Sequence, residues 1–525
     1  MPMERTPELF ELIEEAAVKH IAFGDSDAIR GQYVLCQKRR LAVIAKRLQT
    51  AEALLAGLEI VNADAQYAWV GNTVVRCAIQ HAHSQVELGT EYGLPLANCD
   101  DILGGAAKHL TSGIAGTPLE KGLKRLSYPP KQPCSSWVWS DDHIDDVFGS
   151  ALRTLVRLNY GDAPLCTLTT DEFEGLMNGC HLLFALLPSL AASALSHTHL
   201  IACFPSLGRW GGTTSSSQFI TGGTIFISRA ILKNPWSVAE HLLHEALHQK
   251  LYDFRHGHSL LEQKYLESGV PKKDLAQVCS HWNPEKLSRA NYWDTHRTLA
   301  AFHVYVHLSL LSQIAEHRSS ELEEAFGRRS GMIESRRALD RARYLGEQLK
   351  ENCWHELGLA GRDFVDWLLV MLDALDPAPA PKGAYFHHVL DLYDGDTRRI
   401  EKALTALDQD GSTLHSKFSE VAREEWDEML KLLTTLGASA SLNEFTTESN
   451  LDLETESGVD ILRIRDTVAR TLRSLSHNGY EIPRTSESPL NPNQAVQQMV
   501  KRSSDRAHIT LKSVPDIVVA AKEMG

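Results

Sequence analysis

The stretch from Trp236 to Phe254, WSVAEHLLHEALHQKLYDF, constrains what this chain can fold into more than any other. It contains His244, Glu245 and His248 in the pattern HExxH. On a helix, histidines four residues apart lie one above the other, about 5.4 Å apart along the axis, and can bind one metal ion as a pair. Glu245 points about 100° around the helix from His244, so it can approach a metal-bound water or a substrate without being a ligand.

The residues around the motif favour a helix. Ser237 and Glu240 have the spacing of a capping box, which places the helix start at Ser237, and Pro235 just before them stops the helix from continuing upstream. Apolar residues at helical spacing predict one buried side: Leu243, Leu247, Leu251 and Phe254. The chain has 24 histidines, so a chance HExxH has to be weighed. The amphipathic helix around the motif favours a metal site over that chance match.

Composition limits the functions that this chain can have. Its 525 residues are enough for two to four domains with a sizeable core. The net charge of −14 argues against a general nucleic-acid binder, which needs a basic surface. The nine cysteines show no CxxC spacing, which indicates reduced thiols in a cytoplasm. The charged N-terminus is not a signal peptide, and no apolar run predicts a membrane span.

The pattern along the chain predicts a mainly α fold. We expect a helical domain with a small β-sheet beside the HExxH metal helix, plus a helical C-terminal extension. Two short runs rich in β-branched and aromatic residues predict the strands, His199 to Phe204 and Gly223 to Ser228. The proline-rich DPAPAPKG reads as a stiff linker. The expected divisions are an N-terminal helical region (1–125), a catalytic domain (126–376) and the extension with flexible segments (382–525).

A catalytic metal needs a third protein ligand and open positions. A histidine six residues after His248 would indicate a metzincin, but Phe254 occupies that position. Glu262 or Glu267 would supply the carboxylate of a gluzincin-type protease. The third option lies on Trp293 to His317, a nearly continuous apolar stretch that predicts a buried helix and carries Arg297, His303 and His307.

Arg297 bears on the choice between these options. We expect it to be buried on that helix, where a charge is costly unless it is paired or used. A 2-oxoglutarate-dependent oxygenase needs a cation for the distal carboxylate of its cosubstrate, and a bidentate arginine suits that task. An ion pair with Asp294 or Glu245 is the structural alternative for Arg297. A hydrogen-bonded core histidine is the alternative for His303, and His307 is the rival ligand.

The sequences HLLHEALHQKLYDF and NYWDTHRTLAAFHVYVHL resemble the HExxH-type peptide β-hydroxylases encoded beside genes for ribosomally synthesised, post-translationally modified peptides. The resemblance extends from Met1 to about Leu375 through AQYAWVGNTVVRCAIQ and RALDRARYLGEQL. It implies iron(II) ligated by His244 and His248, with the third ligand, His303, and the 2-oxoglutarate clamp, Arg297, on the second helix. In the family pattern a proline follows the arginine, whereas Thr298 follows it here.

The resemblance therefore implies a cytoplasmic iron(II)- and 2-oxoglutarate-dependent dioxygenase. Its reaction would hydroxylate a β-carbon in a precursor peptide, with Glu245 as a catalytic-site residue that orients substrate or water. Its partners would be that peptide and either a second copy of the chain or another modifying enzyme. Two alternatives stay open: a zinc metallopeptidase with Glu245 as general base, and a non-catalytic peptide-binding protein.

Overall fold

The computed structural model describes most of the chain, and two compact units can be distinguished in it. The described residues are 7–90, 93–112, 123–126, 136–140, 147–207, 210, 213–266, 275–282, 292–380, 382, 385–406, 412–435, 458–477, 498–503 and 505–506. The first unit comprises Met1–Ser268, His303–Ser335 and Leu357–Leu375. The second comprises Gly269–Phe302, Arg336–Glu356 and Asp376–Gly525. Helices account for 74% of the described residues, which confirms the mainly α prediction.

The first unit consists mainly of helices. They are α1 (Pro7–Lys19), α2 (Ser26–Ile44), α3 (Gln49–Glu59), α4 (Ala63–Gly71), α5 (Thr73–Leu88), α6 (Leu96–Thr111), α7 (Val147–Tyr160), α8 (Thr170–Leu186), α9 (Pro188–Leu195), α10 (Pro235–Gly257), α11 (Gln263–Leu266) and α14 (Leu359–Leu375). Helix α12 (Thr295–Phe326) contributes its residues from His303 onward to this unit.

The sheet of the first unit has both predicted strands at its centre. Its strands are β1 (Lys124–Arg125), β2 (Trp137–Val138), β3 (Leu200–Phe204), β4 (Ser215–Ser216) and β5 (Thr224–Ser228), in the order β1-β2-β3-β5-β4. β3 and β5 pair in parallel, with Leu200 opposite Thr224, and every residue of both strands is buried. Central parallel strands are covered on both faces, which explains why the two runs are rich in apolar residues without a polar alternation. β4 pairs antiparallel with β5 and forms one edge of the sheet.

One hydrophobic core joins the N-terminal helices to this sheet. Its members come from α2 through to β5 and include Val70, Leu103, Leu152, Phe204 and Phe226. The first unit therefore extends across the boundary that the sequence analysis placed at residue 125. A shared core of this kind has no signature in local composition, since the helices and the strands each supply only one face of it.

The second unit contains the C-terminal helices. Its elements are β6 (Val278–Cys279), β7 (Tyr292–Trp293), α13 (Ser335–Glu351, of which Ser335 belongs to the first unit), α15 (Phe386–Ala406), α16 (Ser412–Thr435) and α17 (Gly458–His477). β6 and β7 pair antiparallel. The C-terminal helices enclose a separate apolar core that includes Leu390, Tyr393, Met429 and Val468. The helical character predicted for 382–525 holds for its described residues.

Among the described residues, one helix has the length and apolar composition of a membrane span. It is α12, and 89% of its most apolar window is buried inside the protein. Burial of this extent is what a core helix of a soluble protein shows. The prediction of a buried helix in this stretch is confirmed, with its start at Thr295 and its end at Phe326.

Candidate metal centre

Helix α10 carries the HExxH motif and begins earlier than the sequence analysis proposed. Asn234 is the N-cap, and its side-chain oxygen accepts hydrogen bonds from the backbone N–H groups of Trp236 and Ser237. Pro235 occupies the first turn, where its missing N–H costs nothing. The predicted capping box is therefore wrong. Ser237 donates to the carbonyl of Gly331 instead.

The histidines of α10 form a strip along an otherwise buried helix. From Trp236 to Phe254 every residue is buried except His241, His244 and His248, which are half-buried. At about 100° per residue these three positions fall within about 60° of the helix circumference. We call them the histidine strip. Between Trp236 and Phe254, the side chains of α10 that are reachable from outside are therefore imidazoles alone.

His244 and His248 have the geometry of a ligand pair. Their ring centroids are 5.1 Å apart. Two imidazoles on one ion, each with a metal–nitrogen distance of about 2.1 Å, have ring centres about 5 Å apart. Burial lowers the pKa of His244 to about 4, so at neutral pH its ring is uncharged and has a lone pair to donate. The donor atoms fit a divalent transition metal.

Glu245 is buried beside the strip and is held by the edge strand. It is 3% exposed, and its Oε1 accepts a hydrogen bond of 2.6 Å from the Ser215 hydroxyl on β4. The same hydroxyl oxygen lies 2.9 Å from Nδ1 of His241. Burial raises the pKa of Glu245, and the hydrogen bond from Ser215 opposes that rise.

His303 and His307 are buried in the first unit, on α12. His303 is 2% exposed, and its ring centroid lies 4.7 Å from that of His307 and 5.2 Å from that of Phe364. His307 Nδ1 lies 2.8 Å from the carbonyl oxygen of His303. Burial holds the pKa of His303 well below its usual value, and His307, Lys250 and His248 lower it further. His303 is therefore near His248, and its role as third ligand stays a prediction.

Arg297 lies in the first turn of α12, in the second unit, and its side chain is exposed. Its guanidinium lies 5.0 Å from the ring centroid of Trp293, and its backbone N–H donates to Asp294. The prediction that Arg297 is buried is wrong. The apolar run that indicated burial becomes continuous only from Leu299 onward, and a residue in the first turn does not share its environment.

No three side chains converge on a metal position within the described residues. A search among them for groups of three or more His, Cys, Asp or Glu side chains placed to hold one ion finds none. Of the two carboxylates considered as third ligands, Glu262 lies 3.7 Å from Arg362 in a half-exposed ion pair, and Glu267 lies outside the described residues. The histidine pair is thus the part of the predicted site that is assembled.

A buried ionic cluster anchors the opposite side of α10. Asp253, which is fully buried and about 180° around the helix from His244, lies 2.8 Å from Arg76 on α5 and 2.8 Å from Nδ1 of His197. The Tyr67 hydroxyl of α4 donates to the same carboxylate. Arg76, His197 and Tyr67 together hold the pKa of Asp253 well below its usual range, against the effect of burial. Sequence reasoning missed this cluster, because its members are far apart along the chain.

We expect acid to destabilise the first unit through its buried histidines. Burial lowers the pKa of His81, His197 and His307 to about 4 each, whereas the unfolded value is about 6.5. Between these values the unfolded chain binds more protons, so stability is present above pH 6.5 and is lost as the pH falls towards 4. Between the two pKa values, each buried histidine lowers the free energy of unfolding by about 1.4 kcal/mol for each pH unit of acidification.

Urea unfolding of the chelator-treated protein at several pH values measures this effect. The free energy of unfolding should fall steeply between pH 6.5 and 5. A free energy that stays constant over this interval would contradict the assignment of neutral, buried histidines.

Neither the known family models nor the curated proteins contain a match to the chain.

Proposed function

We propose that the chain is an iron(II)- and 2-oxoglutarate-dependent oxygenase that hydroxylates a β-carbon in a ribosomally made peptide. The single observation that carries the metal site is the histidine strip, in which His244 and His248 have the ring separation of a ligand pair on an accessible face. Bound there with 2-oxoglutarate and oxygen, iron(II) would supply the oxidising power that converts a C–H bond into C–OH. The prediction of His303 as the third ligand comes from the resemblance.

Glu245 has a supporting role in this proposal. Its carboxylate accepts a hydrogen bond from Ser215 and is almost inaccessible to solvent, as suits a group that orients its neighbours. If both oxygens of this carboxylate bound the metal instead, they would occupy coordination positions that the cosubstrate needs. We therefore assign Glu245 to the support of the histidine strip and of the bound substrate.

Arg297 is the proposed cation for the distal carboxylate of 2-oxoglutarate. An arginine offers a planar pair of donors that matches a carboxylate, and the exposed position of Arg297 leaves its guanidinium accessible to a small acid. The ring of Trp293 beneath it restricts its orientations.

A peptide substrate is consistent with the strand beside the motif. β4 is an edge of the five-stranded sheet, and its Ser215 contacts both His241 and Glu245. An extended peptide can add to such an edge through main-chain hydrogen bonds. We place the reaction in the cytoplasm, because the cysteines of the described residues are free thiols and most of them are buried.

A zinc metallopeptidase is the second candidate, and the raised pKa of Glu245 favours it. A general base works best when its pKa lies near the working pH, and burial moves Glu245 in that direction. In that reaction Glu245 would take a proton from a water molecule bound to zinc.

One assay separates the two candidates. The full chain is loaded anaerobically with iron(II) or with zinc and then given oxygen, 2-oxoglutarate and a candidate precursor peptide. The oxygenase proposal expects succinate and a peptide 16 Da heavier, the mass of one oxygen atom, with iron only. Peptide cleavage with zinc that is lost in Glu245→Gln would support the peptidase instead.

Arg297→Ala tests the clamp. We expect it to weaken binding of 2-oxoglutarate to the iron-loaded chain by about 10- to 100-fold, the equivalent of one charge-assisted pair, with metal affinity unchanged. Calorimetric titration under argon measures both. Arg125→Ala is the matched control, since Arg125 is also exposed and lies 5.8 Å over the Trp137 ring. Equal loss of metal and cosubstrate binding, or loss of neither, would count against the clamp.

A further inference from the structure

His241 belongs to the histidine strip although the HExxH motif does not include it. It lies three residues before His244, and the centroids of the two rings are 6.2 Å apart. It is half-buried, as His244 and His248 are, whereas the neighbouring residues of the helix are buried. The strip therefore has three imidazoles at positions i, i+3 and i+7, on the one face of α10 that a metal ion can reach.

The contacts of Ser215 determine which nitrogen of His241 carries a proton. The Ser215 hydroxyl donates its single hydrogen to Oε1 of Glu245, at 2.6 Å. With that hydrogen committed, the Ser215 oxygen can only accept from His241, whose Nδ1 lies 2.9 Å away. Nδ1 of His241 thus bears the hydrogen, and the lone pair of the neutral ring is on Nε2. A hydrogen bond of this kind from the second ring nitrogen is how proteins orient histidine ligands of metals.

The ring distances show one assembled pair and one wider pair. The 5.1 Å between His244 and His248 matches a shared ion, and the 6.2 Å between His241 and His244 exceeds that value by about one ångström. Binding of one ion by all three rings therefore requires the half-buried His241 side chain to turn towards His244. His303, at 2% exposure, is enclosed by His307 and Phe364 and has no comparable freedom.

We propose that His241, rather than His303, supplies the third imidazole to the metal ion held by His244 and His248, and that Ser215 and Glu245 hold it in the ligating tautomer. The proposal rests on the metal site of the proposed function and adds a ligand and its support to it. Helix α10 would then provide all three imidazole ligands, and β4 would supply Ser215 as their support.

Cobalt(II) titration of the metal-free full chain tests this proposal without relying on activity. Cobalt(II) absorbs visible light with an intensity and position that depend on its ligands, so affinity and coordination are read together. We expect His241→Ala to weaken cobalt binding at least a hundredfold and to change the spectrum. Ser215→Ala should weaken it about 10- to 100-fold, the usual effect of losing a supporting hydrogen bond. His258→Ala, half-buried at the end of the same helix, is the matched control and should bind as the unaltered chain does.

The variants distinguish failure of this proposal from failure of the metal site. If His244→Ala and His248→Ala bind cobalt like the unaltered chain, the metal site itself is refuted. If those two variants lose cobalt while His241→Ala keeps the original affinity and spectrum, His241 is not a ligand. Loss of binding in His303→Asn with an unchanged His241→Ala would restore the ligand set of the resemblance. Should His241→Ala not fold, Ser215→Ala with unaltered affinity still overturns the proposal.

Discussion

Replacing His248 with alanine is expected to reduce the affinity of the chain for a divalent transition metal by more than a hundredfold. The loss of a supporting hydrogen bond already weakens metal sites about 10- to 100-fold, so the loss of a ligand from the assembled pair should exceed that. The effect should not come from unfolding, because His248 is half-buried and lies on the accessible face of α10.

Competition with a chromophoric chelator measures the affinity, and circular dichroism checks the fold. The half-buried His258 on the same helix again provides the control variant. Equal metal affinities for His248→Ala and the unaltered chain would remove the basis of both proposed reactions.

Replacing Asp253 with alanine is expected to lower the free energy of unfolding by about 3–5 kcal/mol. The carboxylate is fully buried, and its removal leaves the guanidinium of Arg76, 1% exposed, without a counter-charge. It also removes the partner of His197 Nδ1 and of the Tyr67 hydroxyl. The metal face lies on the other side of α10, so metal affinity of the folded variant should change little.

Urea denaturation measures the free energy of unfolding. Two further variants show whether the loss of stability comes from the unpaired buried charge. Asp162→Ala removes a carboxylate of a solvent-exposed ion pair with Arg157 and should have little effect. The double variant Asp253→Leu/Arg76→Met should recover much of the lost stability, because an apolar pair leaves no buried charge. A small loss for Asp253→Ala alone, comparable with Asp162→Ala, would show that the cluster does not anchor the helix.

The HExxH helix, the two central strands and the buried helix α12 were predictable because each has a strong local pattern. The motif gives the positions of His244 and His248, and the largely apolar runs give β3, β5 and the core of α12. In each case the pattern that identifies the element lies within about 30 consecutive residues, and periodicity and turn residues can be recognised over such a distance.

Features that depend on distant partners were not predictable. Asp253 is one acid within a buried helix, and only the fold brings it to Arg76, 177 positions earlier in the sequence. His241 is a candidate ligand because its ring contacts Ser215, and only the folding of the small sheet places Ser215 beside it. Arg297 was assigned to a buried stretch because it lies near the beginning of that stretch, yet its side chain is on the exposed side of the first turn, while Thr295 and Thr298 are buried. The HExxH motif predicts a ligand pair, whereas a third ligand depends on residues outside the motif.

X-ray absorption of the iron(II)-loaded full chain tests the central claim most directly, namely that α10 binds one metal ion through its histidines. We predict nitrogen or oxygen ligands at about 2.1 Å with outer-shell scattering from at least two imidazoles. That imidazole scattering should disappear in the double variant His244→Ala/His248→Ala. A loaded chain without imidazole scattering, or a double variant with an unchanged spectrum, would contradict the account.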